Sequence, residues 1–96
     1  MRAYELMTIF RPELPETDVR SEVANIEKAL SDRGAEITGS DFWGKRRFAY
    51  EIDHVNEGYY SVVQFLSDPP LVDTLDRALS LADNVVRHKI LRIDDK

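Results

Sequence analysis

Glu16-Thr17-Asp18-Val19-Arg20-Ser21-Glu22-Val23-Ala24-Asn25-Ile26-Glu27-Lys28-Ala29-Leu30-Ser31-Asp32-Arg33, followed by Gly34, is the stretch from which the fold is read. Val19, Val23, Ile26 and Leu30 recur at intervals of four, three and four, which places them on one stripe of a helix. Thr17 or Asp18 is positioned to cap its start, and Gly34 suits the left-handed position just past its end. Upstream the period changes. Tyr4 to Phe10 is rich in β-favouring residues, with Tyr4, Leu6, Thr8 and Phe10 on one face, and Pro12 and Pro15 close the strand.

Downstream, Glu36 to Ile52 reads as a strand interrupted near Gly39 and Gly44, where glycine marks a bulge or a close backbone approach. Asp53 to Gly58 is polar and ends in Asn56-Glu57-Gly58, the composition of a hairpin connection, after which Tyr59 to Leu66 returns as a third strand. Asp68-Pro69-Pro70 supplies a cap followed by proline in the first turn, opening a second helix with the stripe Leu71, Leu75, Ala78, Leu79 and Ala82. Val85 to Ile93 is the last strand. Its alternation puts Arg87 and Lys89 on one side and Val86, His88 and Ile90 on the other.

Strands over about 3–10, 36–52, 59–67 and 85–93, with helices over about 16–33 and 69–83, give the order βαββαβ, the ferredoxin-like split βαβ unit of the α+β class. Right-handed crossovers then require a four-stranded antiparallel sheet in the order 4-1-3-2, with both helices on one face. A chain of 96 residues has room for one core, so a single domain over 1–96 is expected. The absence of cysteine excludes disulfide scaffolds, thiolate metal sites and cysteine nucleophiles. No apolar run approaches the ~18 residues that span a bilayer, and the first residues lack a signal-peptide pattern, so a cytoplasmic chain with no membrane partner is expected.

The net charge of −5 is the sum of two unlike populations. Between Asp41 and Glu51 stand Lys45, Arg46 and Arg47 without an acid, and between Asp83 and Asp94 stand Arg87, Lys89 and Arg92, again without one, so the two windows carry +6. The remaining 7 cations and 18 acids carry −11. In the order 4-1-3-2 the windows fall on opposite edge strands, so a patch joining them must cross the open sheet face or run along its end. Nine of the acids sit on or beside the helices, which makes the helical layer the acidic pole.

Three consecutive cations between Trp43 and Phe48-Ala49-Tyr50 read as an anion-facing surface, since clustered Lys and Arg neutralise phosphates and rings stack on bases. The competing reading is an edge strand protected by charge against pairing with another chain. Arg46 and Arg47 rank above Lys45, because guanidinium forks onto phosphate. Strand alternation keeps Arg46 and Arg47 on different faces unless a bulge intervenes. Phe48, Tyr50 and Ile52 share a face and read in part as core; Trp43 is open between packing and exposed contact. His88 reads as a half-buried packing residue, and Tyr59 and Tyr60 point to opposite faces. Arg46-Arg47-Phe48-Ala49-Tyr50 imitates the aromatic strand motif of RNA-recognition-motif domains, but that motif belongs on the third strand and needs a counterpart on the first, which is lacking here.

Met1-Arg2-x-Tyr4-Glu5, Gly44-Lys45-Arg46-Arg47-Phe48-Ala49-Tyr50-Glu51-Ile52, Gly58-Tyr59-Tyr60 and Asp83-Asn84-Val85-Val86-Arg87 together resemble the family of bacterial small-subunit ribosomal protein six, in order and over nearly the whole chain. Phe48 stands where that family usually has leucine. The resemblance implies a structural component of the small ribosomal subunit that binds the central domain of its rRNA beside the small basic ribosomal protein eighteen. It also implies RNA contact by Arg2 and adds weight to Arg87. The RNA-binding candidates are thus Arg2, Trp43, Lys45, Arg46, Arg47, Arg87, Lys89 and Arg92.

Catalysis has little support. His54 lies near Asp53 and Glu57, a grouping common in polar loops, and no phosphate loop, metal-ligand spacing or nucleophile elbow occurs. No catalytic residue, metal, cofactor or small-molecule substrate is expected. Two rival readings rest on the fold: a barrel-forming dimeric enzyme, which needs an apolar outer sheet face, and a small-ligand regulatory domain.

Overall fold

The computed structural model describes residues 1–52 and 55–93, and of 48–52 and 55 the backbone alone. In β1 (Arg2–Phe10) the alternation expected from sequence is present, with Tyr4, Leu6, Thr8 and Phe10 all buried and Leu6 fully so. β1 is central, pairing antiparallel with β3 (Val55–Ser67) and with β4 (Val85–Arg92), while β2 (Glu36–Ile52) pairs with β3 on the far side. The order β2-β3-β1-β4 is the expected 4-1-3-2. α1 (Glu16–Asp32) and α2 (Pro69–Ser80) bring Val19, Val23, Leu30 and Leu79 into one core with Leu6, Phe10, Val63 and Phe65. Tyr4 and Phe65 stack there at 5.7 Å.

The helix ends differ in part from expectation. Neither Thr17 nor Asp18 caps α1; Pro15 occupies that position in extended conformation, and its C=O accepts from the N–H groups of Asp18 (3.0 Å) and Val19 (3.2 Å). Proline is suited to this stop because it has no N–H to satisfy and a fixed φ. At the other end Gly34, with φ +96°, donates to Ser31 while Ala35 donates to Leu30, the paired closure of a Schellman motif. In α2 Asp68 is the N-cap residue with proline in the first turn, as expected. The helix ends at Ser80, where tight turns from Leu81 to Ala78 and from Ala82 to Leu79 take over. Ala78 is exposed, and Val72 packs on the core beside Leu71 and Leu75 in its place.

Both glycine interruptions of β2 are present, since its ladder to β3 shifts between Ile37 and Gly39 and again between Phe42 and Gly44. β3 begins earlier than Tyr59. The ladder includes Arg46–Gly58, Arg47–Glu57 and, after a register shift, Ile52–Val55, so Val55 to Gly58 is strand rather than connection. Beyond Tyr59, the partner of Phe10 at the end of β1, β2 and β3 continue as a ribbon paired only to each other. Asp53 and His54 lie outside the described residues, as do the side chains of Phe48, Tyr50 and Ile52. The β2–β3 register shifts a third time between Arg47 and Ile52. A fourth irregularity lies in β4, where the pairing passes from Phe10–Val85 to Ile9–Arg87 and leaves Val86 as the extra residue.

Candidate nucleic-acid interface

Cross-strand register sorts the open sheet face into rows. Nearest the ribbon, Arg87, Ile9, Tyr60 and Gly44 lie side by side across all four strands. The next row is Lys89, Met7, Val62 and Asp41, then Leu91, Glu5, Gln64 and Gly39, and last Ala3, Leu66 and Glu36. Part of each basic window therefore faces outward at this end of the open face, Arg46 on one edge strand and Arg87 and Lys89 on the other. They are separated by three strand spacings of about 4.8 Å, or about 14 Å.

The two bulges make this arrangement. Trp43 is the extra residue of the β2 irregularity between Phe42 and Gly44, and Gly44 follows it with φ +82°, a backbone conformation that side chains disfavour. The indole lies parallel to the Tyr60 ring, 6° between planes and 6.0 Å between centroids, and 46% of the residue remains exposed. Trp43 thus both packs and presents a face to solvent. Arg46, on the same side, donates from Nε to the Trp43 carbonyl at 3.2 Å, and Trp43, Arg46 and Tyr60 line an open depression of about 440 Å³. On β4 the extra residue Val86 turns Arg87 and Lys89 outward, both exposed, and His88 toward the helices. His88 Nε2 lies 2.7 Å from Asp76 Oδ1 on α2, so this half-buried residue is committed to a structural pair.

The other candidates lie elsewhere. Lys45 and Arg47 alternate with Arg46, with no irregularity between them, and so belong to the helix side of the ribbon. Lys45 Nζ sits 5.1 Å above Tyr59, whose ring stacks on Phe42 at 6.2 Å, and the Arg20 guanidinium lies 4.3 Å above Phe42. These cations bracket an aromatic pair at the edge of the core. Arg47 faces Glu57 across the ladder. Arg2 and Arg92 are opposite Ser67 and Tyr4, at the far end of the sheet on the helix-facing side. Of the eight candidates the fold brings together Trp43, Arg46, Arg87 and Lys89.

Tyr60 belongs to this surface and was not among the candidates, although its alternation with the buried Tyr59 signals it. Arg11 also lies near this end, but its Nε donates to the Asp83 carbonyl at 2.7 Å, and its N–H to Asn84. On the helical layer Glu16 pairs with Arg20 at 3.1 Å and Asp32 with Lys28 at 3.5 Å, while Glu5, Glu36 and Asp41 lie on the open face, in rows beyond Arg87 and Gly44. Among the described residues no helix is long and apolar enough to cross a membrane.

Fold and surface define a class: a ferredoxin-like α+β protein whose helices cover one sheet face and whose open face is cationic and aromatic at one end. Residues 3–92 match the family model described as Ribosomal protein S6, and the chain belongs to this family of small-ribosomal-subunit proteins. It is 42% identical to the small ribosomal subunit protein bS6 of Desulforamulus reducens over 96% of this chain and 97% of that protein. It is 43% identical to that of Syntrophomonas wolfei over the full length of both. The crystal structure of 30S ribosomal protein S6 from Thermotoga maritima superposes with a TM-score of 0.91 at 32% identity, covering 98% of this chain and 89% of that one. The C-terminal domain of MgtC from Mycobacterium tuberculosis shares the fold alone, with a TM-score of 0.61 at 18% identity over 99% of this chain and 90% of that one. The relatives are ribosomal structural proteins and not enzymes, which sets aside the barrel-enzyme reading, and a small-subunit protein works in the bacterial cytoplasm.

Proposed function

We propose that this chain, acting as one domain over residues 1–96, binds the central domain of the small-subunit rRNA through the basic, aromatic end of its open sheet face, together with ribosomal protein eighteen. The observation that carries this reading is that Arg87 and Lys89 from one edge strand face the same end of the open sheet as Arg46, Trp43 and Tyr60 from its other side. Arginine forks onto phosphate oxygens, and the exposed face of the Trp43–Tyr60 pair is a platform on which an unstacked base can lie. The ribbon places Lys45 and Arg47 on the opposite side of the same end, within reach of phosphates that pass around it.

At a net charge of −5 the chain as a whole repels polyphosphate, so its local patch works against its own global field. A basic partner bound beside it removes that opposition and adds phosphate contacts of its own. Titrating a central-domain rRNA fragment with the chain, in the presence and absence of protein eighteen, tests the reading. Affinity is expected to rise about tenfold or more with the partner present. Equal affinities would contradict the cooperative mechanism.

A further inference from the structure

Arg11 directly follows β1, and its N–H bonds the Asn84 carbonyl at 3.0 Å, so the pairing with the start of β4 continues one residue past Phe10. Pro12 disfavours a helical conformation at Arg11, and alternation from the outward-facing Met7 and Ile9 carries the Arg11 side chain to the open face. On the other flank Phe10 is opposite Tyr59, so the antiparallel course brings Arg11 in step with Gly58, whose β2 partner is Arg46. Arg11, Gly58 and Arg46 thus form one further row at the rim, beyond the row of Arg87, Ile9 and Tyr60. Gly58 puts no side chain between the two arginines, whose strands lie two spacings of about 4.8 Å apart.

The two guanidinium groups are held alike. Nε of Arg11 donates to the Asp83 carbonyl at 2.7 Å, and Nε of Arg46 to the Trp43 carbonyl at 3.2 Å. Each anchor leaves the Nη end of the fork, which can take two oxygens of one phosphate side by side. Among the described residues no carboxylate pairs with either arginine, whereas Arg20 on α1 is paired with Glu16.

We infer that Arg11 is a phosphate contact of the RNA, of the same kind as Arg46, so that a phosphodiester backbone crosses the strands along this rim beside the Trp43–Tyr60 platform. The inference rests on the proposed function and gives its site a direction, across the sheet and not along one strand. Anchoring by a backbone carbonyl means that each side chain loses less freedom when phosphate binds.

The test is the affinity of the full chain for a central-domain rRNA fragment, with protein eighteen present, across a salt series. Arg11→Gln removes the charge and keeps an amide donor for the Asp83 carbonyl. It is expected to bind about fivefold more weakly, with the logarithmic salt slope flattened by about 0.7, the share of one phosphate. Arg11→Lys, which keeps the charge without the fork, should restore the slope and recover only part of the affinity. Arg77→Ala, which takes one charge from the exposed side of α2, should leave the slope unchanged. A wild-type slope in Arg11→Gln beside a flattened one in Arg46→Ala makes Arg11 a structural tie alone and overturns the inference. Wild-type slopes in both overturn the proposed function with it. If Arg11→Gln weakens binding to protein eighteen in calorimetry without RNA, the residue belongs to the protein contact, and the inference falls as well.

Discussion

Replacing Gly44 by alanine isolates the backbone feature on which the open-face surface depends. At φ +82° the residue is in a region that costs an L side chain about 1–2 kcal/mol, and a Cβ built there meets nothing within 4 Å. The whole penalty is therefore conformational, with no steric share. If the strand keeps its course, a chain of this size should lose about 4–8 °C of Tm for each kcal/mol. If it relaxes the bulge instead, the pairing beyond Phe42 slips by one residue and the positions from Gly44 to Arg47 change face. Trp43 then takes the place of Gly44 directly opposite Tyr60 and loses its bulged stacking geometry, and Arg46 exchanges sides with Lys45. Thermal melts report the first effect, while tryptophan fluorescence and near-ultraviolet circular dichroism report the second. Gly34→Ala is the control, because it too has positive φ (+96°) and open surroundings, but it closes α1 far from Trp43. Both variants should lose stability, and only Gly44→Ala should alter the tryptophan signal or RNA affinity. An unchanged Tm and tryptophan spectrum in Gly44→Ala would refute the claim that the left-handed residue holds the surface together.

Gly39→Ala should fail for a different reason, steric rather than conformational: a methyl 2.5 Å from Gln64 Oε1 displaces that side chain, releases Glu5, and lowers stability by about 1 kcal/mol in denaturant melts. Leu6→Ala, at the fully buried centre of the sheet, should cost about 2–5 kcal/mol in the same assay, with no change in the RNA salt dependence of the fraction that remains folded.

Much of the architecture was readable because local pattern and tertiary demand agree. The stripe Val19, Val23, Ile26 and Leu30 is the face α1 buries, Asp68-Pro69-Pro70 opens α2, and Tyr4, Leu6, Thr8 and Phe10 of β1 are buried. What could not be read was register, since pairing partners are set by residues tens of positions away. The extra residues Trp43 and Val86 decide which cations share a face, and periodicity carries no mark of where a bulge falls beyond the nearby glycine. The windows of charge were visible as runs, yet each is divided. Arg46 parts from Lys45 and Arg47 by alternation, and Arg92 parts from Arg87 because it lies opposite Tyr4 at the far end. Pro15 displaced the expected cap for a local reason: already extended at the N-cap, its carbonyl accepts from Asp18 and Val19, so the helix starts at Glu16 and Thr17 and Asp18 fall inside its first turn.

The central claim is one of place: RNA meets the end of the open face where Arg46 and Arg87 converge, and net charge alone does not account for binding. Two double variants separate these, Arg46→Ala with Arg87→Ala and Arg2→Ala with Arg92→Ala, since each removes two cations from a chain of net charge −5. The measurement is affinity for a central-domain rRNA fragment across a salt series, in the presence of protein eighteen. The first pair should weaken binding about tenfold or more and flatten the logarithmic salt slope by about 1.4, near 0.7 for each phosphate no longer neutralised. The second pair should stay within about twofold of wild type with its slope unchanged. Equal losses from the two pairs would contradict the account.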